Sequence, residues 1–169
     1  MMDPDPILCL AGWWPEGDRV AGIFIREHGM AFARHRPVQV VHAVVEKGSR
    51  PWPKTEVRTR TEEGITIYRI RISTPVRRFG IPSMLVRRAY KRILKRIHRP
   101  ALIHIHVRTE ETATATSLAL AMRLPVVVTE HNSFYHLGIR ALPPTMQAAE
   151  RGRIRQWFTD PSIAKVMPV

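Results

Sequence analysis

Leu102-Ile-His-Ile-His106, then Thr112 to Arg123, then Pro125-Val-Val-Val-Thr-Glu-His131 is the stretch that decides the fold. The two apolar runs have the length and β-branched content of strands buried on both faces, as in a parallel sheet. The segment between them is helix-like. Strand, helix and strand in that order make a right-handed βαβ unit. In open sheets of this kind ligands sit beyond the carboxyl ends of the strands. That edge receives His106 from the first run and Thr129-Glu130-His131-Asn132-Ser133 from the second.

Working outward, the same alternation continues in both directions. Ile7–Leu10 reads as a first strand, and Ala11–Asp18 as a long turn carrying Trp13 and Trp14. Ala21–His35 follows as an amphipathic helix through Ile23, Phe24, Met30, Ala31 and Ala33. Val38–Val45 is a second buried strand, and Lys47 to Lys54, with Gly48, Pro51 and Pro53, is a surface loop. Val57–Arg60 and Ile65–Ile72 pair as a hairpin turning at Glu62-Glu63-Gly64. Pro82–His98 is the strongest helix, with Val86, Ala89, Tyr90, Ile93 and Ile97 as its apolar stripe, and Pro100 ends it. After His131, Tyr135–Leu142 reads as a loop, Pro143-Pro144 opens a helix to about Phe158, and Ala164–Val169 begins another strand. The order implies an α/β, Rossmann-like, doubly wound and mostly parallel sheet spanning residues 1–169 as one domain. Ending on a half-made strand reads as a chain cut from something longer.

Composition narrows the class. With 169 residues, 44% hydrophobic and 24% charged, the chain can bury a core and is not disordered by default. A single cysteine, Cys9, leaves no internal disulfide and reads as a small core residue in a reducing, cytoplasmic setting. No stretch has the ~18 apolar residues of a spanning helix, and the acidic Met-Met-Asp-Pro-Asp-Pro start is unlike a signal peptide. Twenty-seven Lys and Arg against fourteen Asp and Glu give a net charge of +13. That balance implies an anionic partner or a missing acidic half.

Together, Gly22-Ile-Phe-Ile-Arg-Glu-His28, Leu102-Ile-His-Ile-His106, Pro125-Val-Val-Val-Thr-Glu-His-Asn-Ser133 and Ala164–Val169 resemble the N-terminal half of a family 4 glycosyltransferase. The resemblance spans about residues 7 to 169. It implies one half of a GT-B fold, in which two Rossmann-like domains face each other across a cleft. It also implies retaining transfer of a sugar from a nucleotide sugar to a glycan or lipid-linked acceptor, with the acceptor held on this side. By position, His131 matches the histidine that reaches the donor sugar or its phosphate. Gly22 matches the glycine of the first loop, where backbone N–H groups approach a phosphate. His106 lines the cleft floor, and Thr129, Glu130 and Asn132 join it as substrate-binding residues. The nucleotide sugar is a co-substrate, and no metal is expected. Where many members carry paired glycines, this chain has Ala21-Gly22. The C-terminal domain with its paired glutamates is absent, so the chain alone is expected to be inactive.

Several residues have plainer readings. His104 and His106 share one strand face, and with His131 they make a metal site conceivable, but no carboxylate or cysteine stands at ligand spacing. His104 reads as a hydrogen-bonded core histidine. Glu27 and His28 point in different directions on a helix and make no acid–base pair. Glu110 and Glu111 suit the dipole at a helix start. One of Trp13 and Trp14 packs, and the other is placed to stack on a sugar ring. Arg87, Arg88, Lys91, Arg92, Lys95 and Arg96 form a basic face that reads either as simply solvated or as docking on anionic lipid at the inner face of the membrane. Two other functions compete: a basic nucleic-acid-binding module, which lacks interleaved aromatics and any DNA-binding motif, and an inactive remnant of a truncated gene.

Overall fold

The computed structural model describes residues 5–15, 22–75, 81–97, 99–107, 109–130, 137–159 and 163–168. In chain order the elements are β1 (Ile7–Ala11), α1 (Ile23–Ala33), β2 (Val38–Lys47), β3 (Lys54–Glu62), β4 (Ile65–Thr74), α2 (Ile81–Leu94), β5 (Leu102–His106), α3 (Glu110–Ala121), β6 (Val126–Glu130), α4 (Leu137–Arg140), α5 (Pro144–Phe158) and β7 (Ile163–Pro168). The strands form one sheet in the order β3-β4-β2-β1-β5-β6-β7. Every pairing is parallel except β3 with β4.

The chain winds from β1 through α1 to β2, then returns from β4 through α2 to β5 on the other side of β1. With crossovers of one hand, that reversal puts the connecting helices on opposite faces. The core divides accordingly. Leu8, Leu10, Val41, Ile70, Ile103, Ile105 and Val128 pack with Val86, Tyr90 and Ile93 of α2 and Ala115 and Leu118 of α3. Cys9, Ala11, Val38, Val40, Ile65 and Ile67 pack with Trp14, Ile25 and Val107. The sheet is doubly wound and Rossmann-like, as the periodicity implies.

Several boundaries differ from the sequence reading, each for a local reason. The hairpin is longer than expected, because β3 pairs with β4 from Lys54↔Ser73 to Glu62↔Ile65. Its turn contracts to Glu63-Gly64, with φ of 49° and 80°, the positive-φ pair of a two-residue hairpin. α3 starts at Glu110, since Thr109 and Thr112 cap each other's backbone N–H groups. Glu110 and Glu111 therefore lie inside the first turn instead of preceding it. α2 ends at Leu94 instead of His98; it buries Val86, Ala89, Tyr90 and Ile93, and Ile97 is buried just beyond it. Leu137–Arg140, read as loop, is a short helix. No helix among the described residues is long and apolar enough to cross a membrane.

Candidate functional site

The reversal of winding falls between β1 and β5, so their carboxyl ends flank the crevice where such sheets bind ligands. The crevice floor is tight. Gly12, just past β1, donates its N–H to the His106 carbonyl at 2.8 Å. A Cβ on Gly12 would stand 2.8 Å from the Val107 carbonyl oxygen and 2.9 Å from Thr109 Cγ2. Val107, the residue after β5, has φ of 64°, a conformation a β-branched side chain adopts only under constraint. The constraint is visible: its N–H donates to Thr129 O at 3.1 Å, and its carbonyl accepts from the Thr112 hydroxyl at 3.0 Å.

Below the floor lies a layer of polar side chains on the α1 face. Pairing aligns Arg69, His42, Ala11, His106 and Thr129 in one row across five strands. His106 is fully buried and His104, two residues earlier, shares its face, with ring centroids 4.0 Å apart. Nε2 of His104 and the Thr129 hydroxyl are hydrogen-bonded at 2.7 Å. From α1, His28 approaches the His106 ring at 5.4 Å, and Phe32, one turn later, approaches His104 at the same distance. Cys9 aligns with His104 on the adjacent strand. Its sulfur and the two imidazoles lie within 4.8 Å of one another, the arrangement in the described residues best able to hold a metal ion. Burial pushes the Cys9 thiol up to about 12, so it stays protonated at neutral pH. A metal would have to displace that proton.

Residues 21–163 match the sequence profile described as Glycosyltransferase Family 4. The chain belongs to glycosyltransferase family 4. A comparison with solved structures finds, at 13% identity and a TM-score of 0.49, the structure titled "Trehalose-6-phosphate from E. coli bound with UDP-2-fluoro glucose". The match covers 85% of this chain and 37% of that one. No curated protein matches.

Within this family 4 domain, the residues singled out in the sequence are distributed unevenly. His106 and Thr129 meet in the polar layer at the crevice. Glu130, one residue on, points to the opposite face of β6 and is buried there. Gly22 caps α1 with φ of 84°, and a Cβ there would meet the Trp13–Trp14 backbone at about 3.0 Å. That close approach is itself a reason for glycine. Trp14 is buried, whereas Trp13 is 37% exposed beside the crevice. His131, Asn132 and Ser133 lie outside the described residues. Arg87, Arg88, Lys91 and Arg92 of α2, with Lys95 and Arg96 beyond it, are all exposed. Sequence reasoning missed Gly12, Val107, His28 and Cys9 as site residues. Only His28 left a signal, through its helical spacing to Phe32 on the buried side of α1.

Proposed function

We propose that this family 4 domain, residues 1–169, is the acceptor-side half of a retaining, hexosyltransferase-type GT-B enzyme. The observation that carries the reading is the crevice between β1 and β5, where a strained Val107, a close-packed Gly12 and the buried His106 fix one wall of a cleft. A glycan or lipid-linked acceptor lies on that wall. His106 and Thr129 form the buried polar layer beneath the crevice floor, and Gly22, at positive φ before α1, is the residue of the first loop read as approaching a phosphate. His131, next after β6 in sequence, reaches the donor sugar, with Glu130 and Asn132 beside it. The nucleotide sugar is gripped from a second, C-terminal domain, so this chain alone transfers nothing. In this reading transfer needs no metal.

The work is done in the cytoplasm at the inner membrane face. Among the described residues Arg87, Arg88, Lys91, Arg92, Lys95 and Arg96 of the basic face enter no salt bridge, and Met84 is 62% exposed on α2. Such a face suits anionic lipid better than nucleic acid, because no aromatic side chains alternate with the charges for base stacking. The test is an assay of the full-length protein with radiolabelled nucleotide sugars and a membrane lipid extract. Label entering the lipid or glycan fraction, and lost in His131→Ala, is the expected result. Absence of both transfer and nucleotide-sugar hydrolysis over a full donor panel would overturn the reading.

A further inference from the structure

β2 and β4 run five residues beyond the row that ends β1, and β3 flanks them. On the α1 face that row itself presents His42, Arg69 and Arg58, and Arg60 pairs with Ile67 two residues before it. With Trp14 and Ile67 these residues line a hollow of about 110 Å³. At ~30 Å³ per water, that is room for a tetrahedral oxyanion with its hydration. Its lining is rich in donor-bearing side chains, three arginines, a histidine and a tryptophan, with no carboxylate. Arg58 and Arg60 each have one glutamate partner, Glu56 at 3.3 Å and Glu62 at 3.1 Å. A guanidinium carries five N–H donors, so each keeps others for a guest. Trp14 is 5% exposed and its Nε1–H has no hydrogen-bond partner. A buried donor in that state is costly, and an acceptor-rich guest relieves it. The neighbouring hollow, lined by Glu46, Arg50, Lys54, Glu56 and Arg71, mixes both signs and makes no such demand.

We infer that this hollow is a phosphate subsite, which takes a phosphoryl group carried by the acceptor. The inference rests on the transferase reading above and names its substrate class. A carboxylate accepts in one plane from one guanidinium fork, whereas the donor-bearing residues around this hollow come from β3, β4 and the loop after β1, a spread that suits a tetrahedral oxyanion. The position fits as well. His42 and His106 stand in register on the same face, two strand spacings apart, about 10 Å. A phosphate in the hollow therefore leaves the body of a phosphorylated sugar or lipid headgroup directed at the crevice.

The test is calorimetric titration of inorganic phosphate into the protein in about 0.15 M chloride, where distant surface charge is screened. Saturable binding is expected. It should weaken at least about tenfold in R58Q/R60Q, the equivalent of one lost charge-assisted hydrogen bond. It should be unchanged in R151Q/R155Q, which removes exposed charge from α5. Equal weakening in both variants, or no saturation in the wild type, overturns the subsite. Should R58Q/R60Q lose its fold by circular dichroism, R58K/R60K keeps the charge, removes the fork and serves the same test. Displacement of phosphate by glucose 6-phosphate assigns a soluble phosphosugar, and displacement only by phosphatidylglycerol vesicles assigns a lipid headgroup. Displacement by neither refutes an acceptor role. If the full-length enzyme transfers sugar with an acceptor KM untouched by R58Q/R60Q, the subsite falls and the transferase stands. If phosphate binds here but no sugar is transferred, the transferase reading is the one that fails.

Discussion

Replacing Gly12 by alanine tests whether the crevice floor is as rigid as its geometry implies. The new methyl group would stand 2.8 Å from the Val107 carbonyl oxygen and 2.9 Å from Thr109 Cγ2. The first of these is backbone, so no side-chain rotation relieves it. Val107 is in turn fixed by hydrogen bonds to Thr129 and Thr112. Forcing a methyl into such a site costs about 1–3 kcal/mol, and losing the Gly12–His106 backbone hydrogen bond adds about 0.5–1.5 kcal/mol. The sum, about 1.5–4.5 kcal/mol, corresponds to a fall in Tm of about 3–18 °C for a domain of this size. Gly152→Ala is the matched control. It lies within α5, an added Cβ meets nothing within 4 Å, and alanine there should raise Tm by about 1–4 °C. Thermal melts followed by far-UV circular dichroism measure both. Gly12→Ala melting within about 1 °C of wild type, while Gly152→Ala rises as expected, would show that the floor yields and the rigidity argument is wrong.

Three further outcomes follow from the same structure. Cys9 has its folded pKa raised to about 12 from an ordinary value of 9.0, so the unfolded chain ionises first. Its contribution is therefore complete below pH 9 and is lost as the pH climbs toward 12. Denaturant melts from pH 8 to 10.5 should show stability falling, with a shallower fall in Cys9→Ala; identical slopes would contradict this. Thr129→Val deprives the buried His104 ring of its hydroxyl partner and should cost about 1–3 kcal/mol in urea titrations, and a change under 0.5 kcal/mol would mean the 2.7 Å contact contributes nothing net. On α2, each basic side chain near an anionic surface contributes about 1 kcal/mol, so R87Q/R88Q/K91Q/R92Q should weaken sedimentation with phosphatidylglycerol vesicles by up to roughly a thousandfold. Equal binding by the variant would leave that face merely solvated.

The architecture was legible because a parallel sheet writes itself as short β-branched runs between helical spacings; β3, a polar antiparallel edge strand, is the exception, and its length was underread. The edges were less so. α4 is a single turn containing Gly138, too short to show a period. α3 carries Ala and Thr on all sides, and its start is marked by a Thr-to-Thr cap instead of the usual glutamate. The crevice was half legible. His106 and Thr129 could be placed from strand ends alone. The grouping of Cys9 with His104 needs the β1–β5 register, which no single segment encodes. Val107 was illegible in principle, since a β-branched residue is among the last expected at positive φ.

That misfit explains how the site is held. Glycine at position 107 would relieve the dihedral, but the valine side chain is fully buried with Trp14, Ile25 and Ala11 in the core on the α1 face. Burying such a side chain is worth about 1.5–3 kcal/mol, at least the size of the backbone strain it sustains. The crevice is therefore not a loop laid over a finished core. Its tightest turn is anchored by a core residue, and Trp14 of that same cluster also lines the arginine hollow. A substitution that loosens the core cluster holding Trp14 and Val107 should therefore disturb the crevice and the hollow together, whereas one in β3 should disturb the hollow alone.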